Sequence, residues 1–215
     1  DKSFSIMVIR KSEEYRFWQQ KKLIKQKENG LVKHCCSSRP FSPQNDQPDN
    51  FEVQTNFINE ENYSQFEEFQ GMGTTLVAAL IYGKEVSIVN VGDSRAYRVN
   101  RDGIRRLTTD HSLVQMMVDK GELTPERAKT YPGKNFITRA IGTDPVVSGD
   151  VFHQSVAKGD YLLLCSDGLS NMMDDQEILF EIVHGANKQT GCERLLDIAK
   201  NRGAPDNVTS VLVAL

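Results

Sequence analysis

Three short stretches put an aspartate where an apolar run meets small residues: VNVGDSR with Asp93, LLLCSDGL with Asp167 and GAPDNVTSV with Asp206. A carboxylate beside a buried strand loses hydration and needs compensation. A cation, an arginine or several backbone N–H groups can supply it. Turn chemistry is the competing reading, because Asp and Gly are common turn residues. Three such places at strand junctions favour a shared site. If that site holds a metal, oxygen donors without clustered His or Cys suit a hard cation, Mg²⁺ or Mn²⁺. Such an ion holds phosphate oxygens and lowers the pKa of a water, which then attacks phosphorus. No nucleophilic triad is legible: Ser94 and Ser166 neighbour acids but lack a base adjacent in sequence. His111, in TTDHSL, reads as a helix-start residue rather than a general acid, and no Walker-type phosphate loop is present.

The elements that must position these aspartates are clear from Gly71 onward. TTLVAALI and EVSIVNV are β-rich apolar runs, joined by a hairpin at Tyr82-Gly83-Lys84. AYRV follows, then a turn at Asn100–Gly103. SLVQMMVDKG predicts a helix ended by Gly121, and Thr124-Pro125 starts another, with proline at its first position. Residues 130–150 have no clear period and read as a long loop. YLLLC is a buried strand entered by the turn Lys158-Gly159-Asp160. Asp174 with Glu177 caps a helix over DQEILFEIVHG. Thr190 with Glu193 reads as a second capping box, in a helix that Gly203 closes. Within it Cys192, Leu195, Leu196 and Ala199 fall on one apolar face. NVTSVLVAL is the final strand. Antiparallel strand pairs with segregated helices give an α+β class.

Ahead of Gly71 the chain changes character. Residues 12–30 read as a basic, loosely amphipathic helix, capped by Ser12 and ended by Gly30. Residues 37–70 are rich in Ser, Pro, Gln, Asn and acids, for which low order is the default. Phe51, Val53, Thr55 and Phe57 alternate weakly and suggest one edge strand. KSFSIMVIR is a second strand candidate.

With 215 residues the chain holds one substantial domain or two small ones. Hydrophobic residues at 39% and charged residues at 26% allow a globular core. A net charge of -3 gives no general pull toward nucleic acid or an anionic membrane. No run approaches ~18 apolar residues, and the start lacks the apolar core of a signal peptide. Cys35, Cys36, Cys165 and Cys192 lack zinc-ligand spacing and read as reduced thiols of a cytoplasmic protein.

MGTTLVAAL, VNVGDSRAYRV, LTTDHSLVQMMVDKGELT, NFITRAIGTDP, GDYLLLCSDGLSNMM and APDNVTSVLV occur in that order. Together they resemble the metal-dependent protein phosphatases of the 2C (PPM) type, in their bacterial serine/threonine form. The resemblance covers residues 71–215. It implies an antiparallel β-sandwich flanked by helices in α-β-β-α layers, with a dinuclear Mn²⁺ or Mg²⁺ site at one edge. The implied reaction is hydrolysis of phosphoserine and phosphothreonine by metal-bound water. The implied partners are phosphorylated Ser/Thr proteins and a cognate serine/threonine kinase system. Asp167 of SDG and Asp206 of DN match ligands of the metal centre, and Asp93 of GDSR matches a ligand of a weaker third metal. Residues 111–150 include the flap that gates substrate.

The front departs from the family pattern. An Arg-x-x-Asn-Glu/Gln-Asp segment and then Asp-Gly-Met-Gly-Gly open the family's domain. Here GLVKHCCSS has Lys33 for the arginine, with Cys36 and Ser38 where Asn and Asp belong, and Gly71-Met72-Gly73 follows Gln70. Residues 1–70 are therefore expected to be a divergent extension, and residues 71–215 the C-terminal part of a phosphatase domain whose early strands are incomplete. Activity is expected to be reduced. The alternatives are a non-catalytic phosphatase-like binding or regulatory module, and a fragment without stable function. No residue is assigned to substrate binding.

Overall fold

Thr74–Tyr82 (β3) and Glu85–Val91 (β4) turn on Gly83, whose φ of 58° is a conformation glycine adopts without strain. Along β3 Val77, Ala79 and Ile81 are buried while Leu80 and Tyr82 on the other face are exposed. Period two thus separates a core face from an outer face. The computed structural model describes residues 3–11, 51–54 and 73–215, apart from 143, 145, 186 and 187.

Among the described residues the strands form two sheets. The first has five, ordered β1-β3-β4-β7-β2, with β1 at Ser3–Lys11, β2 at Phe51–Gln54 and β7 at Val146–Ser155. The second has four, ordered β6-β5-β8-β9: Arg95–Asn100 (β5), Gly103–Arg106 (β6), Tyr161–Cys165 (β8) and Ser210–Ala214 (β9). Five helices lie among the described residues. They are α1 (Leu113–Asp119), α2 (Pro125–Ala128), α3 (Asp167–Ser170), α4 (Asp175–His184) and α5 (Lys188–Asn201). The α+β class and the paired antiparallel sheets agree with the sequence reading.

Two cores share the four-stranded sheet. Val77, Ala79, Ile81, Val86 and Ile88 of the first sheet meet Ala96, Leu162 and Leu164 of the second. On the other face Tyr97, Val99, Leu163 and Cys165 meet Ile178, Ile182, Leu195 and Ala199 of α4 and α5. β8 is buried on both sides, which explains its continuous apolar run.

Four expectations need correction. Residues 130–150 are not all loop: β7 begins at Val146 and pairs with both β4 and β2. Gly149 and Asp150 within it break the apolar pattern. Thr190 is no cap, because α5 already begins at Lys188. The last strand starts at Ser210, three residues later than Asn207. Segment 1–70 supplies two strands of the first sheet, both at its edges. Phe51–Gln54 is the weak edge strand read from alternation. β1 runs parallel to β3, an exception to the expected antiparallel pairing. The helix read over residues 12–30, Cys35, Cys36, the front motifs and Gln70 lie outside the described residues.

Candidate functional site

The register of the second sheet brings the three aspartates to one end. Arg95 pairs with Cys165, and Cys165 pairs with Ser210. Asp93 lies two residues before Arg95, Asp167 two residues after Cys165, and Asp206 four residues before Ser210. All three side chains therefore arise from the connections at the same edge.

The backbones that flank Asp167 and Asp206 approach each other closely. The amide of Ser166 donates to the Thr209 carbonyl at 3.1 Å. Ser166 Oγ donates to the Asn207 carbonyl and accepts the Thr209 N–H, each at 3.1 Å. Gly168 sits so near the Asn207 carbonyl oxygen that a Cβ would collide with it. The Ser166 hydroxyl is thus structural, which removes it as a nucleophile. Asp206 is exposed, and its Oδ1 accepts the Asn207 N–H at 2.7 Å. Asp167 is partly buried and opens α3.

Asp93 sits in the turn Gly92–Ser94 between β4 and β5, also partly buried. Gly92 has φ 105°, and a Cβ there would strike the Thr75 side chain. Ser94 Oγ and Thr75 Oγ1 are 2.8 Å apart in a buried hydrogen bond. Arg95 Nε and Nη2 reach Asp110 Oδ2 at 3.0 and 2.6 Å, a charge-assisted fork. Burial works against the Arg95 charge, yet Asp110 and Tyr97 hold its pKa above the ordinary arginine value. Burial pushes the Cys165 thiol up to about 12, so this cysteine is no nucleophile.

His111 immediately precedes Ser112, the N-cap of α1. Its place matches the helix-start reading, but its ring has partners. Nδ1 accepts the Gly92 N–H at 2.9 Å, and Nε2 lies 3.0 Å from Asp150 Oδ2. Arg139 Nη1 donates to Asp150 Oδ1 at 2.7 Å. Burial pushes the Asp150 carboxyl up, but bonds from His111 and Arg139 outweigh it and leave the pKa below its usual value. Asp110, Arg139 and Asp150 were not singled out from sequence. Asp110 adjoined His111 in TTDHSL, whereas Asp150 lay in the expected loop.

Among the described residues, no three His, Cys, Asp or Glu side chains converge as a metal-binding group. The candidate donor set is carboxylate oxygen on the connections at one end of the second sheet. It fits a hard cation that keeps much of its water. Among the described residues no helix is long and apolar enough to cross a membrane.

Two packed sheets flanked by helices are the fold shared with solved bacterial serine/threonine phosphatases. A family model for protein phosphatase 2C matches residues 7–198, and the chain belongs to that family. It is 43% identical over 149 residues to the serine/threonine phosphatase stp of Listeria innocua, covering 68% of this chain and 58% of that relative. The serine/threonine phosphatase Stp1 of Staphylococcus aureus superposes with a TM-score of 0.69 at 42% identity, over 72% of this chain and 61% of that one. The catalytic domain of serine threonine protein phosphatase PstP, solved with two manganese ions, matches with a TM-score of 0.63 at 35% identity, over 71% and 63%. The chain thus spans about three fifths of the length of these relatives.

Proposed function

We propose that the chain is a metal-dependent phosphoprotein phosphatase domain, with Asp93, Asp167 and Asp206 as ligands for Mn²⁺ or Mg²⁺. The observation that carries this reading is the strand register that gathers all three at one end of the second sheet. Manganese in the PstP structure supports the choice of ion. When bound, the ions supply a water of lowered pKa and a clamp for phosphate oxygens. The chain's own part is to hold and orient those ions. The Ser166 and Gly168 contacts fix the Asp167 and Asp206 backbones, and the Gly92 turn fixes that of Asp93.

Substrates are proteins phosphorylated on serine or threonine by a partner kinase. Cys165 and Cys192 are free thiols, which supports a cytoplasmic setting. Residues 1–70 act as a divergent front, adding edge strands without the two acidic motifs expected of the family. Turnover is therefore slow, because removing one electrostatic stabiliser of the transition state costs on the order of 10²–10³ in rate.

The test is turnover of a phosphothreonine peptide with Mn²⁺, for the chain and for Asp167→Asn. Slow Mn²⁺-dependent release of phosphate, abolished in the variant, is the expected result. Equal release from both would remove Asp167 from the site. A second reading, a phosphatase-like module that binds phosphoprotein without hydrolysis, draws on the absence of a three-carboxylate cluster among the described residues. Peptide binding without any Mn²⁺-dependent release would select it.

A further inference from the structure

Two consecutive residues grip the Asp93 turn from both sides. Asp110 holds Arg95, two residues after Asp93, through the bonds of 3.0 and 2.6 Å. His111 holds Gly92, one residue before Asp93. Its Nδ1 accepts the Gly92 N–H at 2.9 Å, and its own N–H donates to the Gly92 carbonyl at 2.9 Å. Asn90 Nδ2 donates to the same carbonyl at 3.2 Å. Because a backbone N–H donates to Nδ1, the neutral ring carries its proton on Nε2. Nε2 lies 3.0 Å from Asp150 Oδ2 and 3.1 Å from Arg139 Nη1. Asp150 in turn holds Arg139, whose Nη1 also donates to the Ser148 carbonyl at 3.0 Å. His111 is only 8% exposed, so water does not readily replace these bonds.

We propose that His111 is a positioning residue for Asp93: Nδ1 sets the turn that aims this carboxylate, and Nε2 ties the turn through Asp150 to Arg139. The excursion carrying α1, α2 and Arg139 is thereby coupled to the cation-binding edge. The inference rests on Asp93 being a cation ligand. Partners that orient metal ligands typically carry 10–100-fold in affinity. A double-mutant cycle separates such coupling from general damage to the fold.

The experiment is calorimetry of the full chain with Mn²⁺ alone. The variants are Asp93→Asn, His111→Gln, the double variant and His111→Asn. The Asn carbonyl stands near the place of Nδ1 and keeps an acceptor for Gly92, whereas the Gln amide stands near Nε2 and does not. His111→Gln is expected to weaken Mn²⁺ binding about tenfold. His111→Asn should recover most of that loss. In the Asp93→Asn background, His111→Gln should cause no further loss. Equal loss in both backgrounds, no loss, or no recovery by Asn overturns the positioning role. If Asp93→Asn binds Mn²⁺ like the unaltered chain, or the unaltered chain binds none, the ligand reading fails and takes this inference with it. Should His111→Gln fail to fold, Asp150→Ala replaces it in the cycle. It removes the Nε2 partner at a half-exposed carboxylate, and its loss too must vanish in the Asp93→Asn background.

Discussion

Asp160 is nearly buried, yet it keeps its charge. Arg98 Nε donates to it at 2.7 Å, Asn100 Nδ2 at 2.8 Å and the Ala157 N–H at 2.8 Å. Burial raises its pKa, but these three bonds outweigh burial and hold it below the usual carboxylate value. A carboxyl with a lower pKa in the folded chain stabilises fully above its unfolded value, about 4. That contribution is lost as pH falls through the folded pKa. The melting temperature should therefore be flat near neutrality and fall below about pH 4. Asp160→Asn should lower it at pH 7 and flatten the acid limb. Melts from pH 3 to 7 check this, and parallel acid limbs for the two proteins would sink the assignment. At this scale the sequence was legible for position but not for partner. Lys158-Gly159-Asp160 announced a turn, and three aspartates announced strand ends. Nothing local revealed that Asp160 reaches Arg98, sixty-two residues away.

Two helices carried the same apparent capping signal, and one was real. The Asp174 side chain accepts the Glu177 N–H at 2.9 Å, and the Glu177 side chain accepts the Asp174 N–H at 3.0 Å. Glu177 also pairs with Arg202, and these bonds bring its pKa down to about 2. Asp174→Ala should cost about 1 kcal/mol of stability. Thr190 lies within the first turn of α5, so Thr190→Ala should cost less than Asp174→Ala. Urea unfolding of both variants measures the contrast, and equal losses would restore Thr190 as a cap. The two motifs look alike in sequence because a cap is defined by where the helix begins, and tertiary packing decides that. β7 was illegible for a related reason. Its strand identity comes from pairing with β4 and β2 on either side, while Gly149 and Asp150 hide any alternation. Helices ended by Gly121 and Gly203 were legible, since φ of 73° and 74° suits glycine there.

At the scale of the whole molecule, stability and function occupy different parts of one sheet. Leu164 lies in the core between the sheets and Leu163 in the core under α4 and α5, and neither is exposed. Truncating either to alanine should cost about 2–5 kcal/mol. Because both belong to β8, each should shift one common unfolding transition. At the end of that strand, Gly168 meets the Asn207 carbonyl. Alanine suits a helix, but here its Cβ strikes backbone, which cannot rotate aside as a side chain would. The end of β8 must then part from the approach to β9, moving Asp167 away from Asp206. Gly168→Ala should therefore weaken Mn²⁺ binding by at least about tenfold, whereas Leu163→Ala lowers the melting temperature and leaves that affinity near its original value. Calorimetry with Mn²⁺ beside thermal melts separates the two effects. Gly168→Ala binding Mn²⁺ as tightly as the unaltered chain would show that the close approach does not serve the cation site.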